Sequence, residues 1–233
     1  MRVDEVYPVL AVPQSIRELG PPRDQSQEDA QKVFDWTMSI LRDRIDGLLG
    51  FFQLDYPAAG SEYPFLLDLG AEVSNALKRE PNFRVVADCA EPTAPALSMA
   101  YDLGLFVGAL VIRSGNGSVQ WTLKPGGADI DANQAVLVGR IERLKIEPIR
   151  PSIADARLIL KGLDLQMMWA WRYVFWSIKL TSGVPLRAEE TLSRAHALGF
   201  PLEDHREISK REFAKARKAS PPFHFSDTSP LAR

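Results

Sequence analysis

The chain carries a single cysteine, Cys89, and three histidines among its 233 residues. One thiol closes no intrachain disulfide, so a stapled secreted scaffold and a multi-cysteine zinc site are both excluded. This usage fits a reducing compartment, and a cytoplasmic protein is the expectation. A charge surplus is lacking too: 28 Lys+Arg against 30 Asp+Glu leave a formal net charge of −2. A near-neutral chain has no general attraction for a nucleic-acid backbone or an anionic membrane, which argues against both partners. Long apolar runs are scarce. The segment that reads as most apolar, residues 163–180, is interrupted by Asp164, Gln166, Arg172 and Lys179, whereas a spanning helix needs about 20 predominantly apolar residues. Near the N-terminus Arg2, Asp4 and Glu5 precede Pro8 and Pro13, a pattern without the apolar core of a secretory leader.

What is present is the composition of a globular domain, 45% hydrophobic and 25% charged, with length enough for one sizeable core. Pro8, Pro13, Pro21 and Pro22 punctuate residues 1–25, which read as an extended N-terminal arm. Ser26, three residues before Asp29, opens a helix in capping-box fashion, with Gly50 as its natural stop. Phe65 to Leu77 predict a second amphipathic helix, closed by Lys78, Arg79 and Pro81. Residues 83–89 suggest a short strand, and Ala96 to Leu103 a short helix ending at Gly104. The run 105–112 (LFVGALVI) fits a buried strand or the end of that helix. Asn116-Gly117 readily takes the positive φ of a tight turn, and Val119, Trp121 and Leu123 alternate with polar residues, so a hairpin is expected here. One or two further strands follow over 135–139 and on to 141–146. Ser152 with Asp155 starts another helix by capping-box logic. Residues 163–180 alternate as a strand would, but their length favours a helix. A helix at 188–198 ends at Gly199 and Pro201. A charged helix at 204–218 and a flexible tail at 220–233 complete an α+β fold, with helices on one face of a small antiparallel sheet in a single domain, 26–219.

Most familiar chemistries fail on these residues. Asp129-x-Asp131-x-Asn133 opens like a calcium loop, but such a loop needs glycine and glutamate where Gln134 and Arg140 stand. The glycine-rich segments match no phosphate cradle. A nucleophilic Cys89 would need His196, His205 or His224, all of them late in the chain. Asp35, Asp43 and Asp46 share a helix with Arg42 and Arg44, the layout of a solvated face. The last two helices, with Lys210, Arg211, Lys215, Arg217 and Lys218, invite a helix-turn-helix reading but carry too small a basic excess for a DNA reader. No catalytic residue, metal or cofactor is expected. The remaining feature is the aromatic segment, where Trp169, Arg172, Tyr173, Trp176 and Lys179 form the candidate ligand or partner patch, with Arg172 and Lys179 as its solvated or interface edge.

The sequence from Leu103-Gly104 to Gly108, Ile112-Arg113, Trp121, Val136-Leu137-Val138-Gly139 and Glu147-Pro148 resembles a recurring pattern in uncharacterised bacterial proteins. Some of these are similar to immunity proteins of toxin systems. The resemblance implies an α+β layout and a non-catalytic, protein-binding role. The competing expectation is a small-molecule-binding protein or hydrolase with a pocket between the Trp-rich helix and the sheet.

Overall fold

A computed structural model describes residues 6–86, 89–126, 132–204, 207, 208, 210, 211 and 214, Cys89 by its backbone alone. The elements are α1 (Gln14–Arg17), a short 3-10 turn (Pro22–Asp24), α2 (Gln27–Phe52), α3 (Glu62–Leu77), β1 (Phe83–Val86), β2 (Cys89–Pro92) and α4 (Ala94–Ser114). There follow β3 (Gln120–Leu123), β4 (Ala135–Val138), β5 (Lys145–Ile146), α5 (Ile149–Leu160), α6 (Met168–Thr181) and α7 (Ala188–Ala197). The fold is α+β and mostly helical, and the strands form two small antiparallel sheets. In one, β1 pairs with β2; in the other the order is β3-β4-β5.

Local chemistry explains the helix limits. Ser26 Oγ accepts the Asp29 backbone N–H at 3.1 Å, and Glu28 and Asp29 place negative charge at the positive end of α2. Gly50 does not stop α2: the helix runs on to Phe52 and ends at Gln53, whose φ of 56° makes the left-handed exit. The start of α5 also differs from the expectation at Ser152. The Glu147 carboxylate accepts the N–H groups of Ile149 and Arg150, both at 2.8 Å, so the helix begins three residues earlier. Ser152 then lies inside it and donates to the Pro148 carbonyl. For α7, Gly199 (φ 85°) and the Phe200 N–H to Ala195 carbonyl bond form the expected C-terminal cap.

The expected hairpin at Asn116-Gly117 is not formed. Residues 105–112 continue α4, and β3 finds its partner in β4. Both Asn116 (φ 46°) and Gly117 (φ 81°) do adopt positive φ, but they turn the chain out of a helix rather than between two strands. α4, not the segment at 163–180, is the most apolar element and would be long enough to cross a membrane, yet 72% of its apolar window is buried inside the body. It can be packed on so many sides because two of its residues are glycines. At Gly104 the backbone of Ile149 and Pro148 comes so close that a Cβ would stand 2.7 Å from Ile149 Cα, and at Gly108 the Trp121 ring takes the Cβ position.

One hydrophobic cluster joins the elements, from Tyr7 through α2, α3, α4 and α6 to Ile208. Residues 6–13 lie along this body rather than away from it. The Tyr7 hydroxyl donates to the Asp102 carboxylate of α4, the Leu10 N–H donates to Ser98 Oγ at 2.8 Å, and Arg44 of α2 reaches the Pro8 carbonyl at 3.3 Å. The remainder of the expected charged helix and the tail, including His205 and His224, lie outside the described residues, as do Asp129 and Asp131.

Candidate functional site

Helical spacing divides α6 into two faces. Trp171, Arg172, Phe175, Trp176 and Lys179 fall on one; Trp169, Tyr173, Ser177 and Leu180 fall on the other. The first face borders a cleft of about 380 Å³ whose opposite walls are Pro151 of α5, Ala188 and Leu192 of α7, and Asp204. The cleft therefore lies between helices, not between the Trp-rich helix and a sheet.

Its floor is aromatic and held in place. Trp171 and Phe175 stack with centroids 4.4 Å apart and planes 17° from parallel. The Trp171 indole N–H donates to the Glu203 carbonyl at 2.8 Å, which fixes the ring and ties α6 to the segment after α7. Lys179 Nζ stands 5.1 Å from the centroid of Phe175, a cation on an aromatic face. Arg172 is not a solvated edge. Its guanidinium is buried and forks onto the Asp155 carboxylate of α5, with Nη2 to Oδ1 at 3.0 Å and Nη1 to Oδ2. The same guanidinium lies 6.0 Å from the Trp176 ring. A two-pronged bond of this kind locks α5 to α6 and leaves Arg172 with its charge compensated.

The other candidate residues on α6 point away from the cleft. Trp169 is 0% exposed and packs where Gly70 of α3 leaves room, with its indole N–H buried and without a hydrogen-bond partner among the described residues. Tyr173 faces Glu62 and Ser114. Burial pushes its phenol up to about 12, helped by the nearby Glu62 carboxylate. Glu62 in turn accepts from Arg113 at 2.7 Å; Arg113 also donates to the Pro57 carbonyl and covers the Tyr56 ring at 4.8 Å. Arg172, Trp176 and, across Phe175, Lys179 are thus brought together, whereas Trp169 and Tyr173 are not.

A second polar cluster was not legible in the sequence. Asp102, fully buried, accepts Arg44 Nε at 2.8 Å and Nη2 at 2.5 Å besides the Tyr7 hydroxyl. Burial raises the Asp102 carboxyl above its ordinary range against the opposing pull of Arg44, and burial with the neighbouring carboxylate lifts Tyr7 well above the usual phenol range. The cluster pins the N-terminal segment to α2 and α4.

The remaining chemical candidates have structural occupations. His196 Nε2 is 2.6 Å from the Leu202 carbonyl, within the turn that follows α7. Asp35, Asp43 and Asp46 are exposed on α2, where Asp35 accepts from Gln31 and Asp46 lies near Arg42. Among the described residues no group of three His, Cys, Asp or Glu side chains is placed to hold a metal ion. Sequence reasoning missed Pro151, Trp171, Phe175, Ala188, Leu192 and Asp204 as cleft residues. The (i, i+4) pair Trp171/Phe175 on the expected helix was the available signal.

No protein-family model matches the chain, and no curated protein or solved structure matches it.

Proposed function

We propose that the chain is a non-catalytic cytoplasmic binding protein whose α5–α6–α7 cleft takes a proline- and aromatic-rich segment of a protein partner. The observation that carries this reading is the stacked Trp171–Phe175 pair, held rigid by the Glu203 carbonyl at the floor of an open cleft. Aromatic-lined grooves suit such segments because proline and aromatic side chains bring large apolar contact at small entropic cost. The buried guanidinium beside them is committed to Asp155, so the wall offers faces and shape rather than a reactive group. Neutralisation of a toxin, as the sequence resemblance implies, is one form that such binding takes.

A second reading has an observation of its own. A volume of about 380 Å³ falls in the range of small-molecule sites, roughly 300–1,000 Å³. Capture from the source cell with the full chain and with a Leu192→Glu variant separates the two. The protein-binding reading expects one stoichiometric protein on the wild type that is lost on the variant. Retention of the same protein by the variant would move the interface elsewhere, and a small molecule bound to the wild type in native mass spectrometry, with no protein partner, would replace this reading with the second.

A further inference from the structure

We infer that the chain carries a competitor for its own cleft: residues 219–225, Ala-Ser-Pro-Pro-Phe-His-Phe. The inference rests on the cleft being a site for proline- and aromatic-rich segments. These residues lie outside the described ones.

The chemistry matches the walls. Pro221 and Pro222 followed by Phe223 and Phe225 are the only place in the sequence where adjacent prolines lead directly into a pair of phenylalanines. Consecutive prolines restrict the backbone before binding, and the two rings supply faces for Trp171, Phe175 and Trp176. Lys215, Arg217 and Lys218 precede the segment, and the cleft wall nearest in sequence ends on the acid Asp204.

The tether is long enough. Asp204 belongs to the cleft, and ten positions separate it from Ala214, in a stretch whose described residues 207, 208, 210, 211 and 214 are helical. Seventeen positions separate Asp204 from Pro221, a contour of up to about 58 Å, so the segment can return to the wall it left. A short tether of this kind gives an effective concentration on the order of millimolar. Weak intrinsic affinity is then sufficient for the segment to hold the cleft until a better partner displaces it.

The test titrates a fluorescein-labelled peptide with the sequence of residues 219–228 into the full chain and into a full-chain variant, Phe223→Ser with Phe225→Ser. The inference expects saturable binding to the variant at least about tenfold tighter than to the wild type, and loss of that binding when Leu192→Glu is added to the variant. Equal affinity for both chains, or no binding to the variant, overturns it. An N-acetyl Pro-Trp-Pro amide titrated into the same variant separates the two levels. If this probe binds in a Leu192-dependent way and the chain's own peptide does not, the competitor falls and the binding cleft stands. If neither binds, both fall.

Discussion

Tyr7 and Asp102 are 95 positions apart, and Arg44 and Asp102 are 58 apart, yet the three make one polar cluster around the fully buried Asp102. No local pattern announces a pair at such separation. The Ser26 cap, by contrast, was legible because donor and acceptor are three residues apart and the chemistry is settled within one turn. The same distinction governs the phenols. All five tyrosines are shifted upward, and burial is the first cause for each. Tyr101 and Tyr173 rise to about 12 from an ordinary 10.0. A group whose folded pKa is raised contributes stability that is complete below its unfolded value and is lost as pH climbs through the folded one. Between 10 and 12 the unfolded chain has released protons that the folded chain still holds, so stability must fall by about 1.4 kcal/mol per pH unit for each withheld proton. Denaturant titrations across alkaline pH should show this decline, and Tyr173→Phe should flatten it by one proton. An unchanged slope in that variant would mean that Tyr173 is not the buried phenol described.

At the scale of the element, the principal correction is α4. The run 105–112 has no period of its own, because an element buried on all sides needs no polar face, and strand and helix then look alike. Asn116-Gly117 takes the expected positive φ, but such a turn also ends a helix, so no hairpin follows from it. What the sequence did contain was Gly104, just before the run, and Gly108 within it, four residues apart and on one helix face, which is the requirement for close approach. The consequence is measurable. Gly104→Ala places a methyl 2.7 Å from Ile149 Cα and 2.9 Å from the Pro148 carbonyl oxygen, both backbone atoms that cannot turn aside. It should cost about 1–3 kcal/mol by forcing α4 and α5 apart. Gly50→Ala, also helical but with no atom near the added methyl, should instead stabilise by about 0.5–1 kcal/mol. Equal effects of the two substitutions on the unfolding midpoint would contradict the packing of α4 on α5.

Across the whole molecule, the α+β class followed from composition and turn signals, since these depend on neighbouring residues. The location of the cleft did not, because its walls come from residues 151 to 204 and exist only once three helices have packed. The aromatic segment was visible as a stripe, but a stripe does not say which face is covered. Trp169 and Tyr173 face α3 and α4, which supply Gly70, Glu62 and Ser114 beside them; Trp171, itself buried, and half-buried Phe175 border the gap that α7 leaves. That gap is the centre of the functional account. The indole N–H resonances of the folded chain report on it one tryptophan at a time during titration with N-acetyl Pro-Trp-Pro amide. Saturable shifts at Trp171 and Trp176, with Trp121 and Trp169 unmoved, are the predicted result. Shifts confined to Trp121 or Trp169, or none at any indole, would contradict a binding cleft between α5, α6 and α7.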